Sequence, residues 1–304
     1  MRDLVKSLTW LLCLCLLLSR SAILQAETLT LGRVAVDPTK YPKLLKPLLE
    51  YVVGKSQNVG VTGGSVVRIA TIEEAARLLT AKKLDWVSTG IAAALIYQEH
   101  NGAEILLRTW RDGTPFYRTI FFTRQDSSLK SLNDLKGRRI AFQDPQSTSA
   151  YFIPLAILRA SGLHVIQLTS LKEKLSNAEV GYMFAGTELN ISTWVQRGLT
   201  EAGAYSDQNW NDPGYNPEII KEDLKIFYQH KPLPRTVEVF RKDLDPRIKA
   251  KIKEILVHAD QDPAAQSALK SYSNTKKFDE FKGEAQEGLE EARRMMKFVG
   301  HEIN

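Results

Sequence analysis

The chain has 304 residues, 43% of them hydrophobic and 25% charged, with a formal net charge of +6 and only two cysteines. The basic excess is spread along the chain instead of forming a stripe, which argues against a nucleic-acid partner and supports only a bias toward anionic ligands. Both cysteines, Cys13 and Cys15, lie close to the N-terminus, so cysteine catalysis, thiolate metal sites and a disulfide framework are excluded for everything that follows them.

At the N-terminus, Arg2 and Lys6 precede an apolar run over 8–18, followed by polar and small residues up to Ala26. That is the layout of a signal peptide, and the run is too short for a membrane-spanning helix, which needs roughly 20 residues. Cleavage after Ala26 and export to the periplasm are expected. Removing residues 1–26 leaves a net charge of about +4. The chain that remains is longer than one core usually supports, so two lobes are expected.

Residues 29–36 read as a strand, 41–53 as an amphipathic helix, 66–69 as a strand, 72–81 as a helix and 84–90 as a strand. This alternation predicts an α/β layer with parallel strands and crossover helices. The pattern restarts with a strand at 118–123, a short helix at 131–137, a strand at 139–142 and a helix at 149–160. A strand at 181–184, a helix at 188–198 and a strand at 201–205 follow. The stretch 209–217 is rich in turn residues and reads as an irregular loop. Residues 224–228 and 236–240 read as extended, and 246–257 and 278–299 as helical. The fold class expected is a bilobal α/β architecture. Residues 27–117 and 234–304 form the first lobe, 118–233 the second, and a ligand sits between them at the carboxyl ends of the strands.

One stretch carries a binding signal. A strand ends at Phe142, a turn follows at Asp144 and Pro145, and three hydroxyl residues, Ser147, Thr148 and Ser149, open a helix. The first N–H groups of a helix have no internal acceptor, and the helix dipole adds positive potential there. An anion with several acceptor oxygens satisfies those donors. The alternative is that Ser147 simply caps the helix, since serine and threonine are preferred caps.

This stretch belongs to a wider pattern: Gly113-Thr114-Pro115-Phe116-Tyr117-Arg118, the run from Leu129 to Phe142, Asp144-Pro145, and Ser147-Thr148-Ser149. Leu84-Asp85 with Gly90, Phe184-Ala185-Gly186, and Pro232-Leu233-Pro234 leading to Arg241-Lys242-Asp243-Leu244 complete it. The chain resembles the phosphate/phosphite/phosphonate-binding periplasmic proteins of ABC transporters. The resemblance implies a type II periplasmic-binding fold with a two-segment hinge, a small oxyanion ligand held on Ser147, Thr148 and Ser149, and a contact from Tyr117. It also implies a permease partner in the inner membrane. Ile72 stands where aminophosphonate binders have a tyrosine, and Thr187 where they have a histidine. Gln208 and Thr236 align with the two carboxylates that hold the ligand's ammonium group. A buried ammonium without a carboxylate partner is costly, so the expected ligand is phosphate, phosphite or a simple phosphonate without an amino group.

Thr89, Thr187, Thr236 and Arg235 complete the candidate site. Arg235 is either a bidentate partner for an oxyanion or an exposed loop arginine. Glu188 is either solvated or caps the next helix or, in the cleft, accepts a hydrogen bond from a protonated ligand. The same cleft also suits an oxyanion-sensing input, for example for an arsenic oxyanion, to the periplasmic domain of a sensor kinase. An enzyme is not expected. His100, His164, His230, His258 and His301 are scattered without metal-ligand spacing and there is no nucleophile elbow, so each histidine is expected at the surface. No cofactor or metal is expected, and the chain is expected to be a monomer.

Overall fold

The computed structural model describes residues 27–34 and 41–300; the expected leader and its cleavage site after Ala26 lie outside the described residues. Among the described residues fourteen strands run in chain order. The first sheet has the order β14-β4-β13-β3-β1-β2. It is built from β1 (Glu27–Val34), β2 (Val61–Ile69), β3 (Trp86–Gly90), β4 (Glu104–Thr109), β13 (Thr236–Phe240) and β14 (Phe278–Asp279). The second has the order β11-β6-β10-β7-β9-β8. Its strands are β6 (Thr119–Arg124), β7 (Arg138–Phe142), β8 (His164–Gln167), β9 (Glu179–Phe184), β10 (Ala202–Ser206) and β11 (Leu224–Gln229). Between the sheets the chain crosses twice, at β5 (Phe116–Tyr117) and β12 (Leu233–Pro234), and these segments pair antiparallel with Leu233 opposite Tyr117.

The sheets are mixed, not purely parallel. β1 runs parallel to β2 and β3, while β13 lies antiparallel between β3 and β4. In the second sheet β7 and β9 are parallel, and β6 runs antiparallel to β10 and β11. β6 and β13 are the strands that follow the two hinge segments. Each enters its sheet directly, without the crossover helix that imposes parallel pairing.

The helix Tyr41–Gly54 buries Leu45, Leu48, Leu49 and Val52, the apolar stripe that made it legible. Ile91–Asn101 is also a helix, which sequence periodicity did not predict. Every residue from Ile91 to Tyr97 is buried, so no polar face marks the 3.6-residue repeat. It ends at Gly102, whose φ of 64° supplies the left-handed cap. β4 and β8 were likewise not predicted. The expected 209–217 loop starts inside a helical turn, Asp207–Trp210, and 278–299, expected as one helix, divides into β14 and the helix Glu284–Met296.

That last helix packs on β12, on Ile91–Asn101 and on the second lobe's helix Ile153–Ala160, so it straddles both lobes behind the cleft. Beneath it His230 is 8% exposed, with Nε2 3.3 Å from Glu291 Oε1. The surface position expected for this histidine is therefore corrected: it immediately precedes the second hinge segment, and the straddling helix covers it. Two polar clusters brace the first sheet. Arg108 donates to Asp279 through Nε (2.9 Å) and Nη2 (2.6 Å), tying β4 to β14. The fully buried Glu238 accepts from Trp86 Nε1, Thr109 Oγ1, Tyr272 OH and Ser88 Oγ.

Candidate functional site

The parallel strands of both sheets point their carboxyl ends at one cavity of about 320 Å³ between the lobes. In the second lobe, β7 ends at Phe142 and the chain turns through Gln143 and Asp144, where the carboxylate accepts from the Gln146 N–H at 2.8 Å. The helix then opens with a widened π-type turn, Thr148–Phe152, in which the Phe152 N–H reaches back to the Ser147 carbonyl at 3.0 Å. Ser147 Oγ accepts from the Ala150 N–H at 3.2 Å. The cap is therefore real, but a serine hydroxyl that accepts still has a proton to donate. The Thr148 and Ser149 amides, first in the helix, have no intrahelical acceptor. Ser147, Thr148 and Ser149 all line the cavity, joined by Glu188 and Asn209 after β9 and β10.

The first lobe supplies the other wall. Ser88, Thr89 and Gly90 at the end of β3, and Thr236 opposite Gly90 on β13, bring small polar side chains to the cavity floor. Tyr117 lines it from the hinge; its buried hydroxyl lies near Thr119 and makes no well-formed hydrogen bond within the chain. Burial holds that phenol well above its usual titration range. Arg33 at the end of β1, Arg111 beyond β4, and Arg235 before β13 add three guanidinium groups. Burial, then the nearby Arg111, pulls Arg235 down to about 10. Burial, then Arg33, lowers Arg111.

The lobes are closed on this cavity. Ile72 N–H, a free donor at the start of the first-lobe helix Ile72–Thr80, donates to Gln146 Oε1 of the second lobe at 2.7 Å. Gly90 abuts Thr148 so closely that an added Cβ would collide with Thr148 Oγ1. Ile72 and Gln146 also border a second, more apolar cavity of about 450 Å³ walled by Tyr151, Phe152 and Phe184.

The family described as "ABC transporter, phosphonate, periplasmic substrate-binding protein" matches residues 35–285. The chain belongs to this family. Among curated proteins, the "Phosphonates-binding periplasmic protein" of Escherichia coli (strain K12) is 25% identical over 173 residues, 56% of this chain and 48% of that protein, so the match spans about half of the relative's length. Among solved structures, XAC2383 from Xanthomonas citri bound to chloride ion is 32% identical with a TM-score of 0.85, covering 90% of this chain and 99% of that one. XAC2383 bound to ATP matches at 31% identity and a TM-score of 0.84, covering 91% and 99%. PhnD1 from Prochlorococcus marinus (MIT 9301) in complex with methylphosphonate shares the type II binding-protein fold, at 18% identity and a TM-score of 0.62 over 89% of this chain and 98% of that one.

As a member of the phosphonate-binding family, the chain departs from the expected site in specific ways. Thr187 is not among the cavity residues: it is exposed and its hydroxyl caps the helix Glu188–Gln196 by accepting from the Asn190 N–H at 3.1 Å. Gln208 also points elsewhere, donating to Thr114 Oγ1 (2.6 Å) and the Phe116 carbonyl (2.8 Å), and its neighbour Asn209 takes the place in the wall. Glu188, one residue past the cap, does enter the cavity and accepts from Asn209 Nδ2 at 2.9 Å. Burial, then the charge of Asp144, raises its pKa, and burial raises that of Asp144. Carboxyl groups thus stand in the cavity, at positions other than the two the resemblance had assigned. Arg33 and Arg111 were not recognised in the sequence. The signal for Arg33 was an arginine at the carboxyl end of an apolar strand, where ligands bind in open α/β sheets.

Proposed function

We propose that this chain is a periplasmic solute-binding protein, exported with removal of residues 1–26, that captures a small phosphorus oxyanion for an ABC permease. Phosphate, phosphite or a phosphonate without an amino group is the ligand class. The observation that carries the reading is the meeting, in one closed cavity, of a hydroxyl-rich helix start from one lobe and an arginine-lined wall from the other. Helix-start amides and the hydroxyls of Ser147, Thr148 and Ser149 serve oxyanion oxygens on one side. Thr89, Thr236, Tyr117 and Arg235 serve them from the first lobe and the hinge. Three guanidiniums disfavour an ammonium group, and Asp144 and Glu188, biased toward their protonated forms, donate to or accept from a ligand that itself carries a proton. That a 31% identical protein has been solved bound to ATP supports a ligand with a phosphoryl group. No feature of the cavity favours a sensor input over transport, and the family is that of transporter binding proteins.

The test is thermal unfolding of the purified protein with phosphate, phosphite, methylphosphonate, aminoethylphosphonate, arsenite, arsenate, sulfate and selenate. A ligand at about 100 times its Kd stabilises a folded protein by roughly 2.7 kcal/mol. A rise with phosphate, phosphite or methylphosphonate is the expected result. A rise with aminoethylphosphonate alone overturns the amino-free assignment, and no rise with any phosphorus or arsenic oxyanion overturns the oxyanion reading.

A further inference from the structure

Arg111 and Arg235 lie side by side in the first-lobe wall with little to neutralise them. Their shared counter-charge is Asp112, 53% exposed, whose Oδ2 is 3.4 Å from Arg111 Nε and 3.9 Å from Arg235 Nη1. Neither distance is that of a hydrogen bond, and Arg111 Nε is buried without one. Arg235 is only 18% exposed. Arg33 approaches the same place, held by its Nη1 on Ser273 Oγ at 3.2 Å and stacked over Tyr41. The other charged groups on the cavity, Asp144 and Glu188, come from the opposite lobe. Three guanidiniums share one adjoining carboxylate, with Glu188 acting on Arg235 from the opposite lobe and the buried Glu238 on Arg33, and both Arg111 and Arg235 are shifted toward the neutral form by burial and by a neighbouring guanidinium. A second anion relieves this. The cavity is also at the lower end of the range that holds whole small molecules, about 300–1,000 Å³, and so has room beyond a single tetrahedral oxyanion.

We infer that Arg111 and Arg235 form a second anion subsite across the cavity from 147–149, and that the ligand carries two anionic groups, one phosphoryl on the hydroxyl-rich helix start and one on this arginine pair. The inference rests on the oxyanion reading and extends it to the class of diphosphates and bisphosphonates. Guanidinium forks match phosphoryl oxygens in pairs, whereas Ser147, Thr148 and Ser149 are uncharged, so the two walls divide the labour: neutral donors grip one group and charged forks hold the other.

The experiment is calorimetric titration of the intact mature protein with methylphosphonate and with methylenediphosphonate, which adds a second phosphonate on the same carbon. The added group is expected to tighten binding about 10- to 100-fold, the range of a charge-assisted hydrogen-bond pair. Arg235→Gln and Arg111→Gln are each expected to remove most of that gain, weakening methylenediphosphonate about 10-fold more than they weaken methylphosphonate, and Arg235→Lys, which keeps the charge but loses the fork, to retain part of it. Retained methylphosphonate binding reports that the variants fold. Equal affinity for the two probes, or variants that weaken both equally, overturns the second subsite and leaves the oxyanion reading standing. Failure of both probes to bind the unmodified protein overturns both.

Discussion

Gly90→Ala separates closure of the lobes from stability of the fold. Gly90 has φ −73° and ψ 158°, a conformation any residue adopts, so alanine brings no backbone strain. An alanine Cβ would nevertheless fall against Thr148 Oγ1 and only 3.0 Å from Thr148 Cβ. Rotating the threonine moves the hydroxyl but not Cβ, so the clash persists while the lobes are shut. Overpacking of this kind costs about 1–3 kcal/mol, which is about a 5- to 150-fold loss of affinity. Gly90 also caps the helix Ile91–Asn101, and alanine is a poorer cap than glycine. That cost falls equally on open and closed forms and cancels from binding. Calorimetry with methylphosphonate should therefore show the affinity loss, while the ligand-free Tm drops by only a few degrees. Wild-type affinity in Gly90→Ala, or a large ligand-free Tm loss with affinity intact, refutes a clamp that closes across this contact.

Thr148→Ala should weaken methylphosphonate binding about 10- to 100-fold, the worth of a hydrogen bond to a charged group, with the ligand-free Tm unchanged. Ser147→Ala should weaken binding and also lower the ligand-free Tm, because it loses the cap on Ala150, worth about 1 kcal/mol; both are read by scanning fluorimetry. Glu188→Gln should raise the ligand-free Tm at neutral pH. The folded pKa of Glu188 is raised, chiefly by burial and then by Asp144, so its favourable contribution is present below the unfolded carboxyl value of about 4.3 and is lost as pH climbs through the folded value. The gap between variant and parent should close on acidification, and a Tm below wild type at pH 7 counts against this account. Arg108→Ala should cost about 3 kcal/mol in urea unfolding by leaving the Asp279 carboxylate without its cation, with only the Trp110 Nε1 hydrogen bond remaining on it at the β4–β14 junction.

Much of the architecture was legible because its elements expose a polar face or end in turn residues. The strands around Val66, Trp86, Ile140 and Thr236 and the helices starting at Tyr41, Ile72 and Pro246 all carry such marks. Ile91–Asn101 carries none, being wrapped on every side, and the antiparallel entry of β13 depends on which lobe the chain has just left. The site divides the same way. Ser147, Thr148 and Ser149 could be read locally, since a helix start displays its donors whatever lies around it. A one-residue offset near Gln208, by contrast, moved the wall position to Asn209, because a turn-rich stretch has no periodicity to hold an alignment in register.

By itself the sequence determined the α/β alternation, the hydroxyl-rich helix start and the family resemblance, all of which are properties of contiguous residues. Only the tertiary structure decided the charge of the pocket. Arg33, Arg111 and Arg235 stand at the ends of three separate chain segments, and Asp144 and Glu188 approach from the other lobe. Their electrostatic effect depends on mutual distance and burial, and neither quantity exists until the two hinge segments bring the sheets together.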